Sequence, residues 1–383
     1  MSNGITNISL GFDGQFGVGS IENIGRQAGG LGMKKPLIVC DPTMVRLGIV
    51  GRVRDLLSKA GIGAEVYDQC VENPRIQDID RGAVFFKTAG CDSLIAIGGG
   101  SPMDQAKVLG AVVRFGGSAA DYNVLKGGAA KIGRDMPPTI AVPTTSGTGS
   151  EATRAAVITD PENKVKFVVI SPFLRFTMAI LDPELTKTMP PKVTAATGFD
   201  VLVHAIESYV VKTYNPVADG LNRTSFELVG KSLKTAVAKG DNLEARSDMA
   251  MASMLAGIAF SMTGLGAVHA LAHPLGGAFG VPHGMANSLM LPHVMRHNAA
   301  AVGARYVEAT RYMGLKASTA DAAAEAMTAL ARDVGLPTSL RDVGICEADL
   351  SQLAKDASRD VSLGRNPVPC TEADLLAMYQ KAL

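Results

Sequence analysis

No excess of either charge runs through the 383-residue sequence: 37 basic residues face 36 acidic ones, the formal net charge is +1, and neither sign forms a long run. That leaves no electrostatic footprint for nucleic acid or for an anionic membrane surface. No stretch reaches the roughly 18 uninterrupted apolar residues that a membrane-spanning helix needs. The opening segment, Met1-Ser-Asn-Gly-Ile-Thr-Asn7, lacks the basic and apolar regions of a secretory signal. Cysteine is sparse, at positions 40, 70, 91, 346 and 370, odd in number and without a C-x-x-C pair. These absences lead to the expectation of a cytoplasmic protein with reduced thiols that acts on small molecules. With 47% hydrophobic and 19% charged residues over this length, two globular domains with ample buried cores are expected.

Histidine is missing altogether from the first two hundred residues; all six lie between His204 and His297. Asp200 and His204 stand four apart in Phe199-Asp-Val-Leu-Val-His-Ala-Ile-Glu-Ser-Tyr209, which has no internal Gly or Pro. Helical spacing therefore puts both side chains on one face. His269 and His273 repeat the spacing, and His283 follows in the turn Gly280-Val-Pro-His-Gly284. A lone histidine on an apolar face is usually a packed core residue. Two pairs at chelating spacing on two apolar helices point instead to a site in which Asp200 and three histidines hold one divalent ion, Fe(II), Zn(II) or a neighbour. His293 and His297, also four apart, imitate a ligand pair and are read as structural.

The first half alternates short apolar runs with amphipathic segments. Strands are read at 35–41, 64–67, 93–97 and 139–142, and helices at 46–60, 76–89 and 103–114. With the β-rich segments 155–159 and 166–170 they give a mostly parallel sheet with helices on both faces. After Met189-Pro-Pro191 the texture turns to long Ala/Leu/Met-rich helical patterns. The expected division is an α/β domain over 1–187 and an all-helical domain over 188–383.

Two Gly-rich stretches compete for a phosphate-binding role. Ile97-Gly-Gly-Gly-Ser-Pro-Met-Asp-Gln-Ala-Lys107 places glycines after a strand and Pro102 at the first position of a helix, whose bare N–H groups suit a pyrophosphate. Gly17-Val-Gly-Ser-Ile-Glu-Asn-Ile-Gly25 has the wrong final spacing for G-x-G-x-x-G and is read as a turn into a helix. Pro143-Thr-Thr-Ser-Gly-Thr-Gly-Ser-Glu151 adds hydroxyls and bare backbone at the end of another strand. Asp41, closing its strand, suits a ribose diol and would repel a 2′-phosphate, which favours NAD over NADP.

Four segments then match a family: Gly98–Lys107, Pro143–Glu151, Ala195–Tyr209, and Gly266–Gly276 with Pro282–His293. Over almost the whole chain they resemble the iron-containing (group III) alcohol dehydrogenases. The resemblance implies a Rossmann-like α/β dinucleotide-binding domain, an all-α C-terminal domain of the dehydroquinate synthase-like fold, and a cleft between them holding Fe2+, often replaceable by Zn2+. It implies Asp200, His204, His269 and His283 as metal ligands and His273 as the histidine beside nicotinamide and substrate. It implies cofactor contacts at Asp41, Asn73, Gly99, Gly100, Ser101, Asp104, Thr144, Thr145, Thr153 and Lys166. Without it, Asn73 reads as an ordinary loop residue and Lys166 as a solvated strand lysine. The expected activity is metal-dependent, NAD(H)-linked interconversion of a small primary alcohol and its aldehyde.

Pocket positions of similar enzymes correspond to Ala155, Phe260 and Ser362, which suit a small alcohol. Arg365 stands where relatives often carry a small residue, and with Arg154 it could grip a carboxylate or sulfonate; the other reading is a surface arginine pointing to water. A dehydrogenase for 4-hydroxybutyrate or another hydroxy acid therefore stays open, and a metal-dependent hydrolase or a non-enzymatic binding protein stands further off. Maleylacetate reductases share the fold, but the resemblance implies they lack this ligand set. The alternating segment Ile5–Phe12 reads as an edge strand that would be covered in a homodimer or higher oligomer.

Overall fold

The computed structural model describes residues 8–11, 13–163 and 165–383. Two compact units are present, one made of Gly11–Thr145 with Gly149–Lys187, the other containing Ser146–Thr148 and Thr188–Leu383.

In the first unit, strands β1 (Gly14–Phe16), β2 (Pro36–Cys40), β3 (Glu65–Tyr67), β4 (Ser93–Gly98), β5 (Thr139–Pro143) and β8 (Met178–Leu181) form one sheet in the order β1-β8-β5-β4-β2-β3. Every pairing in it is parallel. β2, β4 and β5 are buried along their whole length, which is why they read as unbroken Val/Ile runs rather than alternating ones. Ile38, Cys40, Ile95, Ile97, Ile140 and Val142 share one face and pack with Ile24, Val53 and Leu57. These last come from α1 (Ile24–Gly30) and α3 (Ile49–Lys59). α2 (Pro42–Arg46), α4 (Ile76–Thr88) and α5 (Gly100–Phe115) complete the unit.

Several details depart from the sequence reading. The helix expected over 46–60 starts only at Ile49, as α3, because Gly48, whose φ of 75° lies in the left-handed region, separates it from the short α2 before it. β6 (Ala155–Asp160) and β7 (Val165–Ile170) do not join the parallel sheet but form a separate antiparallel pair; a four-residue connection is long enough for a hairpin and too short for a parallel crossover. α5 starts at Gly100, so Pro102 is its third residue and not its first. β8 was not foreseen, nor was β1 at the sheet edge. Of the expected edge strand Ile5–Phe12, residues 8–11 carry no regular structure and the remainder lies outside the described residues.

The second unit holds α6 (Pro191–Val210), α7 (Pro216–Ala238), α8 (Leu243–Thr263), α9 (Ala267–Phe279), α10 (His283–Tyr312), α11 (Ala320–Asp333), α12 (Leu350–Ala357) and α13 (Glu372–Ala382). α6 is buried on all sides from Thr194 to Tyr209 apart from half-buried Thr197, as expected of a helix that is apolar all round. Its Phe199, Leu202, Val203 and Ile206 centre a core shared with Phe226, Leu233, Met249, Leu271 and Met290. α10 meets α6 at Gly284, where a Cβ would stand 2.0 Å from the Ala196 carbonyl oxygen and 3.2 Å from the Asp200 Cβ. Among the described residues, no single helix is long and apolar enough to cross a membrane.

Backbone cannot yield as a flexible side chain does, so Gly284→Ala is expected to cost about 2 kcal/mol or more. Gly220→Ala, at an exposed helical position with open space around it, is expected to be neutral or stabilising by roughly 0.5 kcal/mol. Thermal unfolding of both variants checks the contrast; equal midpoints would remove the claim that this helix contact is tight.

Candidate metal centre and phosphate cradle

Three helices of the second unit bring four donor side chains together. α6 supplies Asp200 and His204 one turn apart, α9 supplies His269, and His283 is the first residue of α10. One donor atom from each of the four lies within 4.8 Å of all the others. Asp200 Oδ1 is 3.8 Å from both His204 Nε2 and His283 Nε2. Donors bound 2.0–2.2 Å from one tetrahedral ion stand about 3.4 Å apart, so small side-chain adjustments close the set around a cation. The His204 and His269 rings stack at 4.9 Å between centroids.

The chemistry of the donors fits a divalent ion. The Asn287 amide nitrogen lies 2.7 Å from Asp200 Oδ1, 3.2 Å from His283 Nε2 and 3.3 Å from His269 Nε2. It has two hydrogens for three acceptors, so lone pairs outnumber donors at this point, which suits a cation. Burial draws His204 and His269 down to about 4, keeping both imidazoles neutral and able to ligate. Burial alone would raise the Asp200 carboxyl, but the three surrounding imidazoles and the Asn287 amide outweigh it and hold it below its ordinary value.

Two of the rings are held from behind by carboxylates. His269 Nδ1 lies 2.6 Å from Glu207 Oε2, while Glu207 Oε1 accepts the Val268 N–H at 2.7 Å. Burial pushes the Glu207 carboxyl up to about 7. His273 lies on the same helix as His269 but turns its Nδ1 to Asp360 Oδ2 at 2.6 Å, and its ring stacks on His283 at 5.6 Å. Asp360 also caps the turn Val361–Arg365 by accepting the Ser362 N–H. Phe260 stacks on His204 at 4.5 Å, which sets one apolar wall beside the four donors. Arg365 turns its guanidinium to the end of α8, where Nη1 donates to the Thr263 carbonyl at 2.9 Å. That guanidinium serves a helix C-terminus, where a cation is favoured, and does not point simply to water.

In the first unit the sheet order reverses direction between β2 and β4, so their carboxyl ends flank the switch point at which open α/β sheets bind ligands. Asp41 follows β2 and Gly99 follows β4. Only Gly99 separates β4 from the first turn of α5, whose Gly100 and Ser101 present N–H groups at the positive end of a 16-residue helix. Thr145 packs on Gly99, its Oγ1 3.1 Å from where a Cβ would stand. Asn73, at a φ of 58°, donates its N–H to Ser101 Oγ at 3.3 Å and accepts from Lys166 Nζ at 2.7 Å. The remaining expected contacts spend their polar atoms internally. Asp41 Oδ1 caps α2 through the Thr43 N–H. Asp104 accepts from Ser150 Oγ and the Val157 N–H. Thr144 donates its N–H to the Gly98 carbonyl, and Thr153 Oγ1 accepts from Lys107. Lys107, buried, donates to Ser150 Oγ, Thr153 Oγ1 and the Ala155 carbonyl at 2.8–2.9 Å.

Glu207, Asp360, Asn287 and Lys107 were not picked out from the sequence. Glu207 had a signal: Asp200, His204 and Glu207 fall at i, i+4 and i+7 on one face. Asn287, four residues after His283, had the same kind of signal. Asp360 had none, since it comes from a separate turn 87 residues beyond its partner.

Comparison with known proteins agrees with these arrangements. The family model described as "Iron-containing alcohol dehydrogenase" matches residues 15–183, and "Fe-containing alcohol dehydrogenase family, C-terminal" matches 194–383. The chain is 40% identical to lactaldehyde reductase of Escherichia coli (strain K12) over 373 residues, covering 96% of this chain and 97% of that one. It superposes on a crystal structure of 1,3-propanediol oxidoreductase with a TM-score of 0.95 at 37% identity, over 99% of this chain and all of the other. Sulfoacetaldehyde reductase from Bifidobacterium kashiwanohense, solved in complex with NAD+, gives a TM-score of 0.92 at 34% identity, over 99% of each chain. The four converging donors and the parallel sheet are thus those of an oxidoreductase, and the chain belongs to the iron-containing alcohol dehydrogenase family.

Proposed function

We propose that the protein interconverts a small primary alcohol and its aldehyde with NAD(H), and that Asp200, His204, His269 and His283 hold the Fe2+ it uses, with Zn2+ as a possible replacement. The observation that carries this reading is the convergence of those four donors within 4.8 Å on buried helices. When bound, a divalent ion there supplies a Lewis acid that lowers the pKa of an alcohol oxygen, and a nicotinamide supplies the hydride acceptor.

The chain's own residues supply the rest. One carboxylate and three neutral imidazoles bring a single formal negative charge, leaving a divalent site electrophilic. His273 is the group placed to take the alcohol proton: Asp360 accepts its Nδ1–H at 2.6 Å, which leaves Nε2 as the basic nitrogen. Asp360, drawn down to about 2 because the His273 and Ser362 hydrogen bonds outweigh its burial, stays charged for that task. Phe260 and Ser362 line the alcohol's side of the site. The first turn of α5, with Ser101, Asn73 and Lys166 joined beside it, binds pyrophosphate, and the Asp41 carboxylate selects NAD by repelling a 2′-phosphate. Asp104, Thr144 and Thr153 act from behind, holding the loops. NAD+ is the cofactor in the sulfoacetaldehyde reductase complex, which supports the same cofactor here. The engagement of Arg365 with Thr263 supports an uncharged substrate, such as the short aldehydes and diols named in the relatives. The exposed Phe16 on edge strand β1 and nearby Val18 support a homodimer, and five free cysteines support a cytoplasmic setting.

The test is NADH formation by anaerobically purified, Fe(II)-loaded protein on short primary alcohols, diols and ω-hydroxy acids. Turnover on the neutral members is expected, lost with chelator and in His269→Ala. Metal and NADH binding without turnover on any of them would sink the substrate class; retention of full activity by His269→Ala would sink the ligand assignment.

Acid should weaken the metal-free fold. His204 and His269 titrate near 4 when folded and near 6.5 otherwise, so below 6.5 the unfolded chain binds protons first. Their stabilising share is complete above pH 6.5 and is lost as pH falls toward 4, by up to about 1.4 kcal/mol per pH unit for each ring. Glu207, raised to about 7 by burial, contributes the opposite slope over part of that window, so the histidine share is read as the difference between wild type and His204→Gln in thermal melts: the variant should lose less stability as pH falls from 6.5 toward 4.

A further inference from the structure

Glu207 is buried, with 4% of its side chain exposed, on the helix that also carries Asp200 and His204. Its two carboxylate oxygens divide their work. Oε2 meets the His269 ring at Nδ1, 2.6 Å away, and Oε1 takes the backbone N–H of Val268, in the first turn of α9, at 2.7 Å. The approach is close enough that a Cβ at Gly266, the N-cap of α9, would crowd both side chains, 3.1 Å from Glu207 Oε1 and 3.0 Å from Asn366 Oδ1. Asn366 in turn accepts the Ala267 N–H and bonds Asn298 in both directions. One side chain thus fixes both the ring of His269 and the start of the helix that carries it.

Nδ1 and Nε2 of a neutral imidazole are one donor and one acceptor. A carboxylate accepts only, so with Glu207 ionised Nδ1 must carry the hydrogen, and Nε2 turns a lone pair toward Asp200, His204 and His283. An amide in the same place breaks this arrangement whichever way it lies. With its NH2 toward the ring it forces the hydrogen onto Nε2, the donor atom; with its NH2 toward Val268 it opposes a backbone N–H.

We infer that Glu207 is the positioning residue that sets the metal affinity of this site, by locking His269 in the tautomer and orientation that present Nε2. The inference rests on the proposed four-residue metal site and adds to it a fifth residue that touches neither metal nor substrate. Carboxylates behind metal-bound histidines commonly change affinity by about 10- to 100-fold, and Glu207 belongs in that range because it also anchors the first turn of α9.

The experiment is competition for Zn(II) between the metal-free protein and a chromophoric chelator, with wild type, Glu207→Gln and Glu207→Asp, alongside thermal melts of the metal-free forms. Wild type is expected to bind one equivalent, Glu207→Gln at least about 10-fold more weakly, and Glu207→Asp between the two. Equal affinity in wild type and Glu207→Gln overturns the inference, as does a lowered melting point with unchanged affinity, which marks a purely structural residue. Absence of stoichiometric binding by wild type overturns the metal site itself. Should Glu207→Gln fail to fold, nitrogen-15 spectra of the metal-free wild type decide: a hydrogen on His269 Nδ1 and none on Nε2 is expected, and the opposite tautomer overturns the inference.

Discussion

Three imidazoles and a carboxylate must aim their lone pairs at one point, and the helical unit is organised around that demand. Lone pairs facing one another repel, and each buried acceptor left without a donor or cation costs on the order of 1–3 kcal/mol. Such an arrangement persists only if the surroundings over-determine it. They do so by contacts that leave no alternative: α10 reaches α6 through Gly284 with its backbone nearly touching the Ala196 carbonyl, and α9 is tied at its first turn to Glu207 and Asn366. The same burial that makes the site costly keeps His204 and His269 neutral. Protonated rings would repel a cation, so expense and function share one cause.

The α/β unit solves a parallel problem with a single cation. Bare N–H groups at the start of α5 are useful only if the neighbouring loops are rigid, and those loops contain Ser150, Thr153 and the Ala155 carbonyl, all acceptors. An ammonium carries three donors, and Lys107 spends them on these three acceptors. Removing an ammonium from water costs several kcal/mol, and burial draws Lys107 down to about 8. The Asp104 and Glu151 carboxylates offset part of that cost. A methionine of similar length would avoid the desolvation but would remove the one group that ties Ser150, Thr153 and the Ala155 carbonyl together.

The donor cluster was partly legible in the sequence because helical spacing is a local property: Asp200 with His204, and His269 with His273, share a helix face without knowledge of the fold. Which of His269, His273 and His283 converge with Asp200 and His204 was not legible from spacing, since His273 shares the helix with His269 yet turns to Asp360. The central strands were legible because burial on both faces removes polar residues from them. The hairpin of β6 and β7 was not, because apolar content reports burial and says nothing of the partner strand. Asn73 needed the family resemblance: Asn tolerates the left-handed region better than most residues, but nothing in Glu-Asn-Pro announces a residue that joins Ser101 to Lys166. Asp41, Asp104, Thr144 and Thr153 show how a residue type suited to a ligand also caps a helix or braces a loop.

Two carboxylate–imidazole pairs stand at the same 2.6 Å separation in this unit, and their surroundings divide their roles. His269 and Glu207 have 2% and 4% of their side chains exposed, His273 and Asp360 27% and 16%. A metal ligand must not exchange its proton with solvent, and the first pair is sealed against that. A residue that passes a substrate proton outward must do so repeatedly, and the second pair borders water. Burial raises Glu207 to about 7 while hydrogen bonds draw Asp360 down to about 2. Nearly identical chemistry thus suits the proposed fixed ligand in one place and the proposed proton carrier in the other, and depth below the surface separates the two.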